Sequence, residues 1–421
     1  MDARTGWLRE RIPPALRERD FALFALGNVA SNFAMNMAQV TIGWQVYAIH
    51  HHALDLGLVG LAEFLPLPLL ALPVGQLADR VSRRALLVLS GVLDAMILLA
   101  LVGVSLAGAE ALWPYLALGF ASGVATVLGA PAARAMSPTL VPDDLVASAM
   151  ALRSTTFQFA VVTGPAVGGL IFSLDHSGVT VYAIAALLAF ATVFATAAIR
   201  ERTAEAATQP PPGMESLLAG LRFVRRTKVL LGAIALDLFA VLFGGAVALL
   251  PAFAVNVLHV GRLELGILRA SPAVGAVAAG VWLAHRPLRR REGRTLLIVV
   301  AGFGASMVVF GLSNTFWLSL VALAVSGATD MVSMAVRGTT VAMATPNALR
   351  GRVNAVEMVF ISASNELGAF ESGVAATLVG IVPAVVIGGL ATMGIAAIWV
   401  VLFPALAKVD GLERLRPEPV A

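Results

Sequence analysis

The chain contains no cysteine and few charged residues for its length. Without cysteine it can form no disulfide, and it offers no thiolate as nucleophile or metal ligand. It has no HExxH pair and no serine elbow, and neither of its lysines, Lys228 and Lys408, lies in a glycine-rich phosphate loop. We therefore expect no enzyme activity, no metal site and no cofactor.

Charge is scarce because apolar residues dominate. Of the 421 residues, 13% are charged and 59% are hydrophobic, whereas an average soluble protein has about 25% charged residues. One soluble core cannot bury so much apolar surface, so much of it must face lipid. The formal charge of +4 comes from short basic clusters between long apolar runs, which is a topology signal. We expect a lipid bilayer around the chain and no nucleic-acid partner.

Apolar runs of about 20 residues are long enough to cross a bilayer as helices. Reading each run as one helix predicts twelve spans, numbered here in chain order. They are 21–49, 54–78, 85–108, 111–136, 145–173, 178–199, 229–257, 262–284, 294–312, 315–342, 352–381 and 383–405. The sequence thus predicts an all-α integral membrane protein.

Arginine and lysine lie mainly on one side of these spans. With residues at the first position of a span counted in the adjoining loop, 24 of the 29 fall in the two tails and the even-numbered loops, four inside spans and one, Arg262, in an odd-numbered loop. Basic loops tend to stay in the cytoplasm. We expect both termini in the cytoplasm and a multi-pass protein of a bacterial-type inner (plasma) membrane, acting as a monomer.

The two halves of the chain repeat one another. LDLGLV at 54–59 returns as LELGIL at 263–268, and Arg134 and Arg337 both end corresponding spans. An offset of roughly 205 to 209 residues that recurs at separate places indicates duplicated six-helix halves, as in transporters that rock about a central site. The predicted organisation is a cytoplasmic tail (1–20), a six-helix bundle (21–199), a cytoplasmic linker (200–228), a second six-helix bundle (229–407) and a cytoplasmic tail (408–421).

The linker contains an amphipathic pattern after its QPPPG sequence. Apolar and basic residues fall on opposite faces of a helix: Leu217, Leu221 and Val224 against Arg222, Arg225 and Arg226. The pattern predicts either an amphipathic helix at the cytoplasmic membrane surface or a basic stop before span 7.

Several ionisable residues fall inside the predicted spans, where a charge costs roughly 2.5 to 3.5 kcal/mol on insertion scales. A carboxyl group at that depth must pair, bind a proton or border water, which are the properties of a proton carrier. We expect Asp237 and Glu366 to exchange protons with the two sides in turn, with Glu371 as the substitute candidate. Further candidates are Asp330 and Asp94. Four others lie near span ends, where they would reach the surface or form gating ion pairs: Arg134, Arg153, Arg337 and Glu357.

Polar residues form stripes along spans 1 and 11. In span 1 the asparagines recur every four residues and line one helix face. One stripe alone would also suit a polar packing seam, but two that face the centre favour a water-filled substrate cavity. The residues expected to line it are Asn28, Asn32, Asn36, Gln39, Gln158, Arg269 and Asn365.

The charged break between spans 2 and 3, GQLADRVSRR, resembles the G-x-x-x-D-R-x-G-R-R motif of the major facilitator superfamily. The matching residues are Gly75, Asp79, Arg80, Arg83 and Arg84, with Ser82 in place of the second glycine. The resemblance implies two six-helix bundles related by a pseudo-twofold axis. It also implies that Asp79 and Arg83 hold a cytoplasmic gate, with Asp79 facing the start of span 11. The corresponding loop in the second half, HRPLRRREGR, has no aspartate.

GPAVGG in span 5 resembles the core of the antiporter motif of drug exporters. Pro165 removes a backbone hydrogen bond, and Gly164, Gly168 and Gly169 allow close helix contact. These four residues predict either a helix hinge or a plain packing kink. Span 4 lacks the mid-membrane arginine motif of proton-coupled drug exporters, since Arg134 lies near its end.

LDLFAVLFGGAVALLPAFA from Leu236 and RGRVNAVEMVFISASNELGAFESG from Arg350 resemble the siderophore-exporter branch of the superfamily. The resemblance implies a secondary exporter that moves a siderophore-like or amphipathic small molecule outward in exchange for protons. One alternative is a multidrug or lipid-handling transporter of the same fold. A different class, a membrane enzyme or a non-transporting scaffold, lacks a catalytic motif and leaves the embedded charges unexplained.

Overall fold

A computed structural model describes residues 13–78, 81–200, 214–286, 291–346 and 349–410. Throughout these ranges the regular structure is helical. Ten helical stretches are long and apolar enough to cross a membrane. Two further long helices, Arg19–His50 and Arg350–Val379, have 32 and 30 residues and are the two with the polar stripes. The predicted all-α membrane fold is confirmed, with each of the twelve predicted spans found as helix.

Seven helices come from the first half of the sequence. They are α1 (Arg19–His50), α2 (Ala53–Phe64), α3 (Pro66–Ala78), α4 (Arg83–Leu106), α5 (Trp113–Met136), α6 (Val146–Asp175) and α7 (Val179–Ala197). The second half contributes α8 (Met214–Arg226), α9 (Lys228–Gly244), α10 (Arg262–His285), α11 (Glu292–Leu312), α12 (Phe316–Ala344), α13 (Arg350–Val379) and α14 (Ile381–Leu402). Within membrane only helices satisfy their backbone hydrogen bonds internally, so long apolar runs and helices coincide.

Two predicted spans are interrupted, and local sequence explains both breaks. Span 2 divides at Leu65 because Pro66 disfavours helical backbone in the residue before it and suits the first position of a new helix. Span 7 leaves the α-helix at Gly245 and continues to Leu258 through short 3-10, α and π segments, with Pro251 at the start of one of them. A sequence of apolar residues alone would not show these bends.

Backbone contacts divide the chain into two compact units. One holds the described residues of 1–42 and 65–211, and the other holds those of 43–64 and 212–421. The last two turns of α1 and all of α2 therefore belong with the second half of the sequence.

The core of the first unit lies where α1, α5, α6 and the end of α7 meet. Phe21, Met136 and Ile199 are buried there with Leu140. Thr192 in α7 donates a hydrogen bond to the carbonyl of Gly27 at 2.9 Å, which fixes α1 against α7. Few large side chains separate these helices, so backbone polar groups come within reach of neighbouring side chains.

The core of the second unit joins α9, α11, α12 and α14 around Leu236 and Trp399. The indole N–H of Trp399 donates to the carbonyl of Gly232 at 2.9 Å. Because an unsatisfied indole N–H costs free energy in an apolar interior, this bond fixes the register of α14 against α9.

Glycines set the distance between α10 and α12. A Cβ atom on Gly275 would overlap the backbone of Ala324, and one on Gly327 would overlap the backbone of Pro272. The two helices therefore touch through their backbones, as small residues allow in membrane bundles.

We expect Gly327→Ala to lower the melting temperature of the detergent-solubilised protein, because the new methyl group would push α10 and α12 apart. Overpacking of this kind typically costs about 1–3 kcal/mol. Gly338→Ala is the matched control on the same helix: a Cβ there meets nothing within 4 Å, and alanine favours helix over glycine. Equal melting temperatures for the two variants would contradict the backbone contact.

Candidate functional site

Three charged residues from three helices of the second unit form the first cluster, which we call the Glu63 cluster. It consists of Glu63 on α2, Arg269 on α10 and Glu366 on α13. All three side chains are half-buried. Arg269 interacts electrostatically with both carboxylates, and the two carboxylates repel each other.

Close packing of α2 on α13 positions this cluster. A Cβ on Gly57 would lie 3.0 Å from the Cα of Phe370, and one on Gly373 would lie 3.0 Å from the carbonyl oxygen of Ala53. Gly60 leaves space for Glu366, whose Oε2 would be 3.3 Å from a Cβ at that position. Glu63 lies one turn beyond Gly60 on the same helix face, so the two carboxyl groups share one side of the contact.

The arrangement places two carboxyl groups around one guanidinium. With both ionised the cluster carries a net charge of −1, and with one protonated it is neutral. A net charge is unfavourable in a half-buried site. When one carboxyl group binds a proton, the other is therefore left as the sole partner of Arg269. Such a site can bind and release a proton, or can bind a group that replaces either partner.

Sequence reasoning placed Glu366 and Arg269 in separate roles and missed Glu63. The signal was present, since Glu63 is an ionisable residue inside predicted span 2. Its isolation in an apolar run, without neighbouring polar residues, made it less visible than the polar stripe of span 11.

The second cluster is an ion triad formed by Asp237, Arg337 and Glu357. Arg337 on α12 is 3% exposed; it forms an ion pair with Asp237 on α9, and its Nε donates to Glu357 Oε1 on α13 at 3.1 Å. The interpretation that Arg337 reaches the membrane surface is wrong. The ion-pair alternative describes what the structure shows, because a buried guanidinium must be paired.

The other three proton-carrier candidates are not part of an ion pair among the described residues. Glu371 on α13, Asp330 on α12 and Asp94 on α4 are half-buried. None of the three forms an ion pair with a described residue. Their role as proton carriers stays a prediction.

The asparagine stripe of α1 forms a ladder of local hydrogen bonds. The amide of Asn32 donates to the Asn28 carbonyl at 2.7 Å and to its side-chain oxygen at 3.1 Å, and the amide of Asn36 donates to the Asn32 carbonyl at 2.8 Å. These bonds use amide donors and leave the side-chain oxygen of Asn36 to accept. All three residues and Gln39 are half-buried.

The predicted hinge on α6 packs against this stripe. A Cβ on Gly164 would lie 2.8 Å from the Cβ of Asn36, and one on Gly168 would lie 2.8 Å from the Cα of Met37. Gly164, Pro165, Gly168 and Gly169 are buried, and α6 is continuous through Pro165. The glycines let α6 contact the backbone of α1.

The remaining cavity candidates differ in exposure. Gln158 on α6 is half-buried and Asn365 on α13 is exposed. Asn365 directly precedes Glu366, so its side chain points away from the Glu63 cluster by about 100° around the helix.

The gate-motif residues that the structure describes cap helix ends. Arg83 donates to the carbonyl of Ala135 at 3.1 Å, and Arg84 donates to the carbonyl of Ala197. Ser82 accepts a hydrogen bond from the backbone N–H of Ala85 at 3.2 Å and so caps α4. Cations at the carboxyl ends of α5 and α7 are favoured by the helix dipole. Asp79 and Arg80 lie outside the described residues; Gly75 falls in α3.

The end of α1 meets the segment before α10 in the second unit. Tyr47 accepts a hydrogen bond from Asn256, which stands 209 residues later. The guanidinium of Arg262 lies 5.5 Å from the ring centroid of Trp44, within cation–π range. The offset of 209 is that of the internal repeat, so equivalent positions of the two repeats contact each other.

Within the described residues, no group of three or more His, Asp or Glu side chains could hold a metal ion. The two clusters each contain a guanidinium, which would repel a cation. The site chemistry is therefore that of carboxylates paired with arginine.

Comparison with known proteins gives one family and a common fold. A family profile described as "Transmembrane secretion effector" matches residues 13–419. The chain is 29% identical over 370 residues to the enterobactin exporter EntS of Citrobacter koseri, covering 83% of each chain. It is 30% identical over 349 residues to the protein of the same name from Shigella boydii, covering 79% of this chain and 80% of the relative.

Solved structures share the fold at low sequence identity. The nucleoside transporter NupG aligns with a TM-score of 0.67 and 12% identity, over 93% of this chain and 99% of its own. A bacterial homologue of the iron transporter ferroportin aligns with a TM-score of 0.69 and 13% identity, over 93% and 99%. These likenesses support the twelve-helix fold and nothing finer.

Proposed function

We propose, from the premise that this chain belongs to the transmembrane secretion effector family of major facilitator transporters and is not an enzyme, that it exports a siderophore-like small molecule in exchange for protons. It does so by alternating access, as a monomer in a bacterial-type inner membrane with both termini in the cytoplasm.

The substrate class rests on the relatives. Both curated proteins compared above are named enterobactin exporters, at 29% and 30% identity. Sequence similarity to these relatives over about four fifths of the chain supports export of a siderophore-like compound.

Coupling to protons rests on the Glu63 cluster, the observation that carries the proposal. The cluster contains two half-buried carboxyl groups and one arginine. Uptake of one proton changes its net charge from −1 to zero, and loss of that proton restores the charge. When Glu366 binds the proton, Arg269 pairs with Glu63 alone. When Glu366 loses it, Arg269 is shared by both acids. The two states place the guanidinium differently, and the helices that hold it are α2, α10 and α13.

The proposal gives the proton to this cluster rather than to Asp237. Asp237 is held by Arg337, which also binds Glu357. One proton would also leave the triad neutral, but Asp237 and Arg337 are buried, whereas Glu63 and Glu366 are half-buried and therefore better placed to exchange a proton with water.

Alternating access requires that the contact between α2 and α13 opens during the cycle. The glycines at 57, 60 and 373 bring the two helices together at backbone distance, so the helices are closely packed here. The Glu63 cluster lies along it, so a change of its charge acts directly on the contact that must open.

We expect a disulfide across this contact to stop transport. A Cβ on Gly60 would lie 3.1 Å from that of Ala369, about 0.7 Å short of the usual Cβ separation of about 3.8 Å in disulfides, so a small shift of α2 would allow the bond. The chain has no native cysteine, so the pair Gly60→Cys with Ala369→Cys can be oxidised without side reactions. Efflux should fall to background after oxidation and return after reduction.

The control disulfide joins helices that remain together. A Cβ on Gly302 of α11 would lie 3.3 Å from Cγ2 of Thr329 on α12, and these two helices are consecutive in the sequence, so we expect them to move together. Oxidising Gly302→Cys with Thr329→Cys should leave efflux unchanged. Continued transport by the oxidised Gly60–Ala369 pair would show that α2 and α13 do not separate.

The test of the function itself is efflux from proteoliposomes with an imposed pH gradient. Catecholate siderophores should leave the lumen faster with the gradient than without it, and cationic dyes should not. Gradient-independent siderophore movement would overturn the proton exchange, and preference for dyes would overturn the substrate class.

A further inference from the structure

The linker helix α8 has one face covered and one face open. Val224 is 1% exposed and packs with Val341 and Val353 at the ends of α12 and α13. Gly220 contacts the start of α13: a Cβ there would lie 2.7 Å from the carbonyl oxygen of Arg352. The helix is therefore seated on the second unit through its apolar side. The sequence left open whether its basic residues belong to a helix at the membrane surface or only form a basic stop before span 7.

Six exposed cations lie on the open side of α8 and at the adjoining starts of α9 and α13, and we call them the basic patch. Its members are Arg222, Arg225, Arg226, Lys228, Arg350 and Arg352. None of them forms an ion pair with a described residue. Arg350 donates to the carbonyl of Ala342 at 3.1 Å, which uses one of its donors and fixes its position. Six cations without described counter-ions repel each other and attract anions.

An apolar side chain shares the open side with the arginines. Leu218 is 41% exposed, and it stands four and seven residues before Arg222 and Arg225, so the three lie on one helix face. An exposed leucine beside arginines suits the boundary between headgroups and acyl chains, because the leucine enters the apolar layer and the guanidinium groups stay at the phosphates.

The patch lies at the end of a membrane-spanning stretch. Lys228 is the first residue of the apolar span Lys228–Leu258, two residues after the end of α8. A guanidinium at Arg225 or Arg226 is therefore within reach of the headgroups that surround that span.

We infer that the basic patch and Leu218 form a binding surface for the headgroups of anionic phospholipids. The apolar side chain favours a lipid over a soluble anion, and the charge favours an acidic headgroup over a zwitterionic one. Each basic residue near an anionic membrane surface contributes roughly a fivefold increase in affinity. The inference does not depend on which molecule the chain transports.

The test uses the intact chain in nanodiscs with a dye on Gly351→Cys. This position is exposed, and a Cβ there meets nothing within 4 Å. Brominated phosphatidylglycerol at a minor fraction should quench the dye several-fold more than the same fraction of brominated phosphatidylcholine. In Arg222→Gln/Arg225→Gln/Arg226→Gln the excess quenching by the anionic lipid should fall sharply, because three of the six cations are removed and each contributes roughly a fivefold increase in affinity.

The matched control removes three exposed arginines elsewhere in the same unit, Arg286→Gln/Arg291→Gln/Arg294→Gln. This variant should keep the preference for the anionic lipid. Equal quenching by both lipids in the parent chain, or an equal loss in the control variant, would overturn the inference. Displacement of the anionic lipid by a soluble acidic peptide at equal charge would also overturn it in favour of a protein partner.

Discussion

Glu366→Gln should abolish efflux driven by the pH gradient while the protein remains folded. Glutamine has nearly the shape of glutamate but binds no proton in the physiological range, so the Glu63 cluster would be fixed in its neutral form. Loss of a group that transfers a proton ordinarily costs about two orders of magnitude or more in rate. The measurement is the ratio of siderophore efflux with and without the gradient in proteoliposomes.

The variant is expected to fold because its remaining charges still pair. Without the charge of Glu366, Arg269 and Glu63 form a neutral couple, so no buried charge is left alone. Melting temperature in detergent and substrate binding to the solubilised protein should both stay close to those of the parent. A drop in efflux accompanied by a large fall in melting temperature would point to misfolding instead.

Two comparison variants decide which carboxyl group acts. Glu371→Gln changes an acid on the same helix that has no described ion-pair partner, so efflux should continue. Glu63→Gln should weaken the dependence on the gradient, since Arg269 would then pair with Glu366 alone. Gradient-driven efflux that survives Glu366→Gln and fails in Glu371→Gln would transfer the proton site to Glu371.

The helices were predictable because their signals are local. An apolar run long enough to cross a bilayer has no stable alternative to helix, so span positions follow directly from the sequence. The break at Leu65 is also local, since Pro66 sets it. The pairing of Asp237 with Arg337 is different: the two residues stand 100 positions apart, and only packing of α9 against α12 brings them together.

The polar stripe of α1 also has one property that the sequence predicts and others that depend on the fold. A spacing of four residues correctly places Asn28, Asn32 and Asn36 on one face. The sequence does not show that each amide donates to the carbonyl one turn earlier, since side-chain rotamers decide this. Nor does it show that Gly164 contacts Asn36, because that depends on how α6 crosses α1. Sequence periodicity shows which residues share a helix face, but what that face contacts depends on tertiary packing.

Glu63 shows how a candidate site residue can be missed in the sequence. Ranking polar residues by local density favoured span 11, which has many of them. Glu63 stands alone in an apolar run, where a charge without a partner is costly to embed, so this one residue was itself a signal. Its partners, Arg269 and Glu366, come from helices far along the chain, so its role emerges only with the fold.

Arg337→Met should be among the most destabilising substitutions in the chain. Removing the central arginine of the ion triad would leave Asp237 and Glu357 buried without a counter-ion, and breaking a buried pair in this way costs about 3–5 kcal/mol. Thermal unfolding in detergent measures the effect, and Arg286→Met, at an exposed arginine, is the control that should change little.

Neutralising all three members separates stability from transport. In Asp237→Asn/Arg337→Met/Glu357→Gln no charge remains to be paired, so most of the lost stability should return, since replacing a whole buried ion group is often close to neutral. If the triad only holds α9, α12 and α13 together, this variant should also retain gradient-driven efflux. A well-folded triple variant that has lost the gradient response would instead assign Asp237 to the proton path, as its position in predicted span 7 first suggested. Failure of the triple variant to recover any stability would mean that the three side chains contribute through packing and hydrogen bonds rather than through their charges.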